Sequence, residues 1–358
     1  MDGPESGIRE QPDQMRHSMR QVKRIFGLIF FLLITGAGGP VVPAAFGDVA
    51  TNHQTPHLSE AAYAKTEKEL ITLLYKKNPR TALIRLSKLM KKDRNVAAEC
   101  HRFVHALGRE ALKKYEDFSA AIAFRDPLCI SGYTHGVIEA SFENSSDIIE
   151  SIRTACEKYE ERSFGQWNCY HGVGHGTMYY TGNNLIQSLG LCNEYPSEFE
   201  QVTCADGAFM ENFNSDTLVH PTAYLRPGEP AYPCFEIDEK FRSACVLYAA
   251  KYTLSLEKNN YKKALKWCMT LDEGVREPCF AGIGGEAVKH FITEPTRAVA
   301  VCKNAPSAGR EPCLDGLIGL FIDHHGSLKE ARALCPSLKK GDRPVCTAAI
   351  EKRAYLFP

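Results

Sequence analysis

The sequence predicts an all-α fold: a disulfide-stapled, solenoid-like array of helical hairpins behind an N-terminal signal peptide or membrane anchor. Three observations point there. Fourteen cysteines fall into seven consecutive couples, Cys100/Cys129, Cys156/Cys169, Cys192/Cys204, Cys234/Cys245, Cys268/Cys279, Cys302/Cys313 and Cys335/Cys346. The last six couples have nearly the same internal spacing and recur every 33 to 42 residues. At that period a helical-hairpin unit buries its apolar face by stacking on the next. No Cys-x-x-Cys occurs, which excludes zinc ribbons, thioredoxin-like dithiols and c-type haem attachment together.

Residues 1–24 form a polar, basic n-region ending in Arg16, Arg20, Lys23 and Arg24. Residues 25–47 follow as an apolar run with a glycine, proline and alanine exit. This is the pattern of a cleaved signal peptide, with cleavage expected near residues 44–47, or of a single membrane anchor if it is retained. Either form exports the body to a periplasmic or secreted location. In an oxidising compartment an even, regularly spaced set of cysteines reads as disulfides, each couple closing on itself. Residues 48–60 are a linker.

Residues 61–213 are predicted to hold the N-terminal helical repeats. They open with a hairpin whose helices, near 61–77 and 81–92, are split by Asn78-Pro79. Residues 214–233 carry four prolines and form an insertion loop, read as a lid or a surface loop. Residues 234–358 hold further stapled repeats. Within them Pro278-Cys279 and Pro312-Cys313 predict a helix starting at the proline, whose missing N–H is unpaired in a first turn, with the second cysteine of the couple close behind. Glycine three residues past the second cysteine, at Gly132, Gly172, Gly207, Gly282 and Gly316, predicts close helix contact. That context outweighs the likeness of residues 282–287 to a dinucleotide fingerprint, which needs a preceding strand.

Charge is balanced at 43 basic and 43 acidic residues, so no global field recruits nucleic acid. The chemistry-bearing residues are instead concentrated in the first units. His101/His105 and His171/His175 are each spaced four apart, and His135/Glu139 repeats the spacing. Residues four apart share a helix face, with Cβ atoms about 6 Å apart. Three helices of adjacent units are thus predicted to aim nitrogen and oxygen ligands at one point, the device by which helical bundles build dinuclear metal sites. Copper, zinc or iron suits such a set. Tyr133, Tyr170, Tyr179 and Tyr180 are candidates for orienting hydrogen bonds. His290, His324 and His325 read as structural or surface residues.

Two functions follow. In one, the chain is an exported metalloenzyme, an oxidoreductase or hydrolase, with His101, His105, His135, His171 and His175 as ligands and Glu139 as ligand or general base. In the other it is a non-enzymatic scaffold that offers a concave face to a protein or peptide partner, or stores and delivers metal. The period and hairpin pattern are broadly similar to tetratricopeptide-type and Sel1-type repeats. The cysteine couples stand where the consensus residues of those repeats would be, so the likeness concerns architecture alone.

Overall fold

A computed structural model describes residues 57–143, 145–214 and 222–357. The signal or anchor segment, residues 1–47, and part of the insertion, residues 215–221, lie outside the described residues. Among those described there are helices and no strands. The helices are α1 (Glu60–Lys76), α2 (Pro79–Met90), α3 (Arg94–Ala98), α4 (Cys100–Tyr115), α5 (Phe118–Ile122) and α6 (Gly132–Glu143). They continue as α7 (Ile148–Thr154), α8 (Phe164–Tyr180), α9 (Leu185–Cys192), α10 (Glu198–Asn214), α11 (Glu239–Leu256) and α12 (Tyr261–Cys268). The last five are α13 (Glu273–Phe291), α14 (Pro295–Cys302), α15 (Ser307–His325), α16 (Lys329–Leu334) and α17 (Arg343–Arg353). None of them is long and apolar enough to cross a membrane.

Local chemistry sets the helix starts. Side chains of Ser59, Asn78, Asp93, Asp117, Asp147, Ser163, Asn184 and Asn260 each accept from an otherwise unpaired backbone N–H in the first turn. Pro79 and Pro295 begin α2 and α14, where no donor is lost. The expectation for Pro278 and Pro312 is corrected: each lies inside its helix, five residues past the first, because the polar residues before it already form the opening turn. The loss is one backbone hydrogen bond in a helix of 19 residues.

The longer helices pack in a single succession, α4 on α6, α6 on α8, α8 on α10, α10 on α11, α11 on α13, α13 on α15 and α15 on α17. Shorter helices flank them, among them α9 against α10, α12 against α13 and α14 against α15. Each cysteine is bridged to the partner its spacing predicts: Cys100–Cys129, Cys156–Cys169, Cys192–Cys204, Cys234–Cys245, Cys268–Cys279, Cys302–Cys313 and Cys335–Cys346. No described cysteine is free. In α9, α12 and α14 the bridge runs from the last residue of the short helix into the following long one.

The second cysteine of a couple does not sit at a helix start, which corrects the expectation made for Cys279 and Cys313. Cys169 in α8, Cys204 in α10, Cys245 in α11, Cys279 in α13 and Cys313 in α15 lie well inside their helices, and Cys346 lies beyond the first residues of α17. A sulfur there reaches the neighbouring helix or turn from the buried flank. Seven such bridges fit an oxidising, extracytoplasmic compartment.

Glycine lets the long helices approach. A Cβ on Gly172 would stand 2.9 Å from the His135 ring, and one on Gly282 would meet the Leu247 backbone. Gly284, in the middle of α13, faces the Cys313 backbone in the same way, so the glycine-rich run of this helix is a packing surface. The succession bends far enough for Phe357 to stack on Phe164 at the start of α8, with centroids 4.8 Å apart. In the described part of the insertion, Asn212 and Asn184 hold Thr222 and Tyr224 by hydrogen bonds of 2.6 and 3.0 Å. None of residues 222–233 lines the two cavities beside the histidine cluster.

Candidate metal centre

Helices α4, α6 and α8 bring the predicted imidazoles into contact. His101 and His105 project from α4, His135 from α6, and His171 and His175 from α8. Gly132 stands against the His105 and His101 rings and Gly172 against His135, positions where a side chain would hold the helices apart. Ring centroids of His135 lie 5.0 to 5.5 Å from those of His101, His105, His171 and His175. Ligand atoms of His101, His105, His135 and His175 all fall within 4.8 Å of one another. His171 stands one step outside that group, its Nε2 3.3 Å from His175 Nε2 and 3.4 Å from Met210 Sδ.

Orientation is as informative as proximity. Four rings are held at Nδ1 by an oxygen: His101 by the Cys129 carbonyl at 2.7 Å, His105 by Glu139 Oε1 at 2.7 Å, His171 by Asp206 at 3.1 Å and His175 by Glu211 at 2.9 Å. An oxygen acceptor places the imidazole proton on Nδ1, which leaves the Nε2 lone pair bare. Yet Nε2 of His105 lies 2.9 Å from Nε2 of His101, and the Nε2 atoms of His175 and His171 pair similarly. Two facing lone pairs repel unless a proton or a metal cation lies between them, and burial disfavours the extra proton. His135 is fully buried, and neither of its nitrogens has a hydrogen-bond partner. Burial holds His101, His105, His135 and His171 below the ordinary imidazole pKa, with neighbouring rings adding to the effect, so all four are poised neutral, the form that binds metal.

Glu139 lies behind His105, 2.7 Å from Arg109 Nη1. Burial alone would raise its pKa, but His105, Arg109 and His175 outweigh that and hold it well below the carboxylate range. The residues that sequence spacing missed are mostly these partners: Arg109, Asp206, Glu211 and Met210. Met210 was within reach, because it occupies the position six past the second cysteine that His135 and His175 occupy in their units. Asp206 likewise matches His171, two past the cysteine. Of the four tyrosines, Tyr133 donates to Ala121 O and Tyr170 to Glu200, away from the rings, and Tyr180 is exposed. Tyr179 faces the centre, while Tyr248, not anticipated, donates to Asp206 at 3.2 Å. His290 is bonded to Tyr261, whereas His324 contributes to the cavity wall below.

Two cavities flank the cluster. One, of about 670 Å³, is walled by His101, His105, His175, Arg109 and Tyr179. The other, of about 930 Å³, begins at His171, Asp206 and Met210 and extends between α11, α13 and α15. Met210 and Lys289 belong to both walls. No protein family, no curated protein and no solved structure matches the chain.

Proposed function

We propose that the protein is an exported metalloprotein, an oxidoreductase of the cell envelope or the medium, whose metal is held by His101, His105, His135 and His175. The observation that carries this reading is the set of bare Nε2 atoms facing each other at 2.9 and 3.3 Å beside an unpartnered His135. Rings fixed through Nδ1 by oxygen acceptors are the arrangement that orients imidazole ligands and raises their basicity. His171 and Met210 adjoin the set, and an imidazole field with one thioether favours copper over zinc or iron. Copper in such a site would supply one-electron chemistry.

The protein's own residues do the rest. Glu139, Glu211 and Asp206 fix the rings, Arg109 holds Glu139 charged, and the flanking cavities admit a reactant to the edge of the cluster. Glu139 is better suited to orienting His105 than to general-base work, because a carboxylate stabilised so strongly as an anion is a weak base. The array is read as stacked helical hairpins, with the cysteine bridges as scaffold throughout and the metal chemistry confined to the first units. Elemental analysis of protein secreted through its own N-terminal segment tests the reading. Stoichiometric copper, lost in a His101→Ala/His175→Ala double variant that stays folded, is the expected result. Metal-free protein, or metal retained by that variant, refutes it.

A further inference from the structure

Lys251 projects from α11 into the larger cavity, and its residue is only 6% exposed. Its Nζ has no hydrogen-bond or ion-pair partner among the described residues, and lies 3.9 Å from the centre of the Tyr248 ring. The other cations of the wall are engaged. Arg353 and Lys352 meet Asp315 at 3.0 and 3.5 Å, and Lys289 meets Glu286 at 3.4 Å. His171, Asp206 and Met210 line the same chamber at the edge of the histidine cluster, and the partly exposed side chains of Trp167, Leu247 and Leu320 give it an apolar lining.

Asp206, Glu286 and Asp323 act on the Lys251 ammonium without closing a direct ion pair with it, and a buried ammonium lacking such a contact is costly, yet the structure keeps one here at the edge of open volume. Burial, and then Lys289, outweigh the upward pull of Glu286, Asp206 and Asp323 and bring its pKa down to about 7, so an anion arriving in direct contact would draw the amine towards its charged form. One ammonium with no carboxylate in direct contact matches a monoanion. We propose that this chamber binds an organic carboxylate, its anionic group received by Lys251 Nζ and its carbon skeleton laid against Trp167, Leu247 and Leu320 towards Met210. That the carboxylate is a substrate rests on the metal-centre reading; that it binds does not.

The full-length protein contains two tryptophans, so a Trp267→Phe background leaves Trp167 as the sole reporter inside the chamber. Titration with benzoate, benzamide and phenyl phosphate, followed by tryptophan fluorescence and calorimetry, tests the proposal. Benzoate is expected to bind about tenfold more tightly than benzamide, the contribution of one charge-assisted contact. Lys251→Met should erase that preference, while Lys251→Arg and Lys289→Met should retain it. Equal binding of benzoate and benzamide, a preference that survives Lys251→Met, or tighter binding of phenyl phosphate than of benzoate overturns it. Metal content is measured in the same samples, so benzoate binding by a metal-free His101→Ala/His175→Ala protein separates failure of the centre from failure of the chamber.

Discussion

His105 Nε2 lies 2.9 Å from His101 Nε2, although the other nitrogen of each ring faces an oxygen. Only a second proton on one of the rings, which burial disfavours, or a metal cation fits that contact while the outer ones stay intact. A bound cation would relieve it, and the oxygen that enforces it is the place to test this. Glu139→Gln should fold and keep its helices but bind metal 10–100-fold more weakly, as expected when the partner of a ligating histidine is weakened. Competition with a chromogenic chelator measures this.

Acid should act through the same rings. The buried imidazoles of His101, His105, His135 and His171 have depressed pKa values, so below about pH 6.5 the unfolded chain takes up protons that the native state refuses. Stability of the metal-free protein is therefore full above that pH and falls as pH drops below it. Thermal unfolding between pH 4.5 and 8 should show a melting temperature that declines on the acid side. A flat profile would contradict the burial of these rings.

Helix contact at glycine offers a paired test. Gly172→Ala places a methyl group 2.9 Å from the His135 ring and should cost about 1–3 kcal/mol by overpacking, with weaker metal binding. Gly190→Ala, in α9, meets nothing within 4 Å and should stabilise by up to about 1 kcal/mol through helix propensity. Chemical denaturation of both variants reads the difference in sign.

Asp323 faces the larger cavity, and burial pushes its carboxyl up to about 7. A raised acid stabilises the fold less as pH climbs from the ordinary carboxylate value, because the unfolded chain ionises first. Asp323→Asn should therefore raise stability at pH 8 by about 1 kcal/mol, equivalent to a few degrees in melting temperature, and change little at pH 4. Residual exposure to the cavity keeps the effect at that modest size.

Bridge removal is the remaining prediction. A Cys268→Ser/Cys279→Ser variant opens an 11-residue separation between α12 and α13 and should lose about 2–3 kcal/mol. Its histidine centre, several helices away, should keep its metal. Urea unfolding and metal analysis of one preparation answer both points.

Much of this was legible in the sequence because cysteine couples and four-residue spacings are local signals. The partner of each cysteine, the opening hairpin around Asn78-Pro79 and the shared face of His101 and His105 all lie within a few turns of chain. The depth of Pro278 and Pro312 inside their helices was not legible, nor was that of Cys169, Cys204, Cys245 and Cys346. It depends on whether the polar turn ahead of them is recruited into the helix, which packing decides. Arg109, Asp206 and Glu211 escaped for a different reason. Asp206 and Glu211 reach the rings from α10, 35 and 36 residues on in the chain, while Arg109, on the same helix as His105, meets Glu139 across 30 residues. No short-range pattern marks such pairings. Met210 was visible only by aligning the units on their second cysteine, where one position holds His135, His175, Met210 and Lys251 in turn.

Cys129, Ile130 and Ser131 all have positive φ, a left-handed turn that side chains other than glycine resist by about 1–2 kcal/mol each. That turn aims the Cys129 carbonyl at His101, and the bridge from Cys129 ends on Cys100, next to His101 itself. Sulfur oxidation thus fastens both ends of the clasp around one imidazole. A polypeptide whose thiols are still reduced would lack a finished seat for that ring, so whatever the ring is to hold would have to wait for sulfur oxidation.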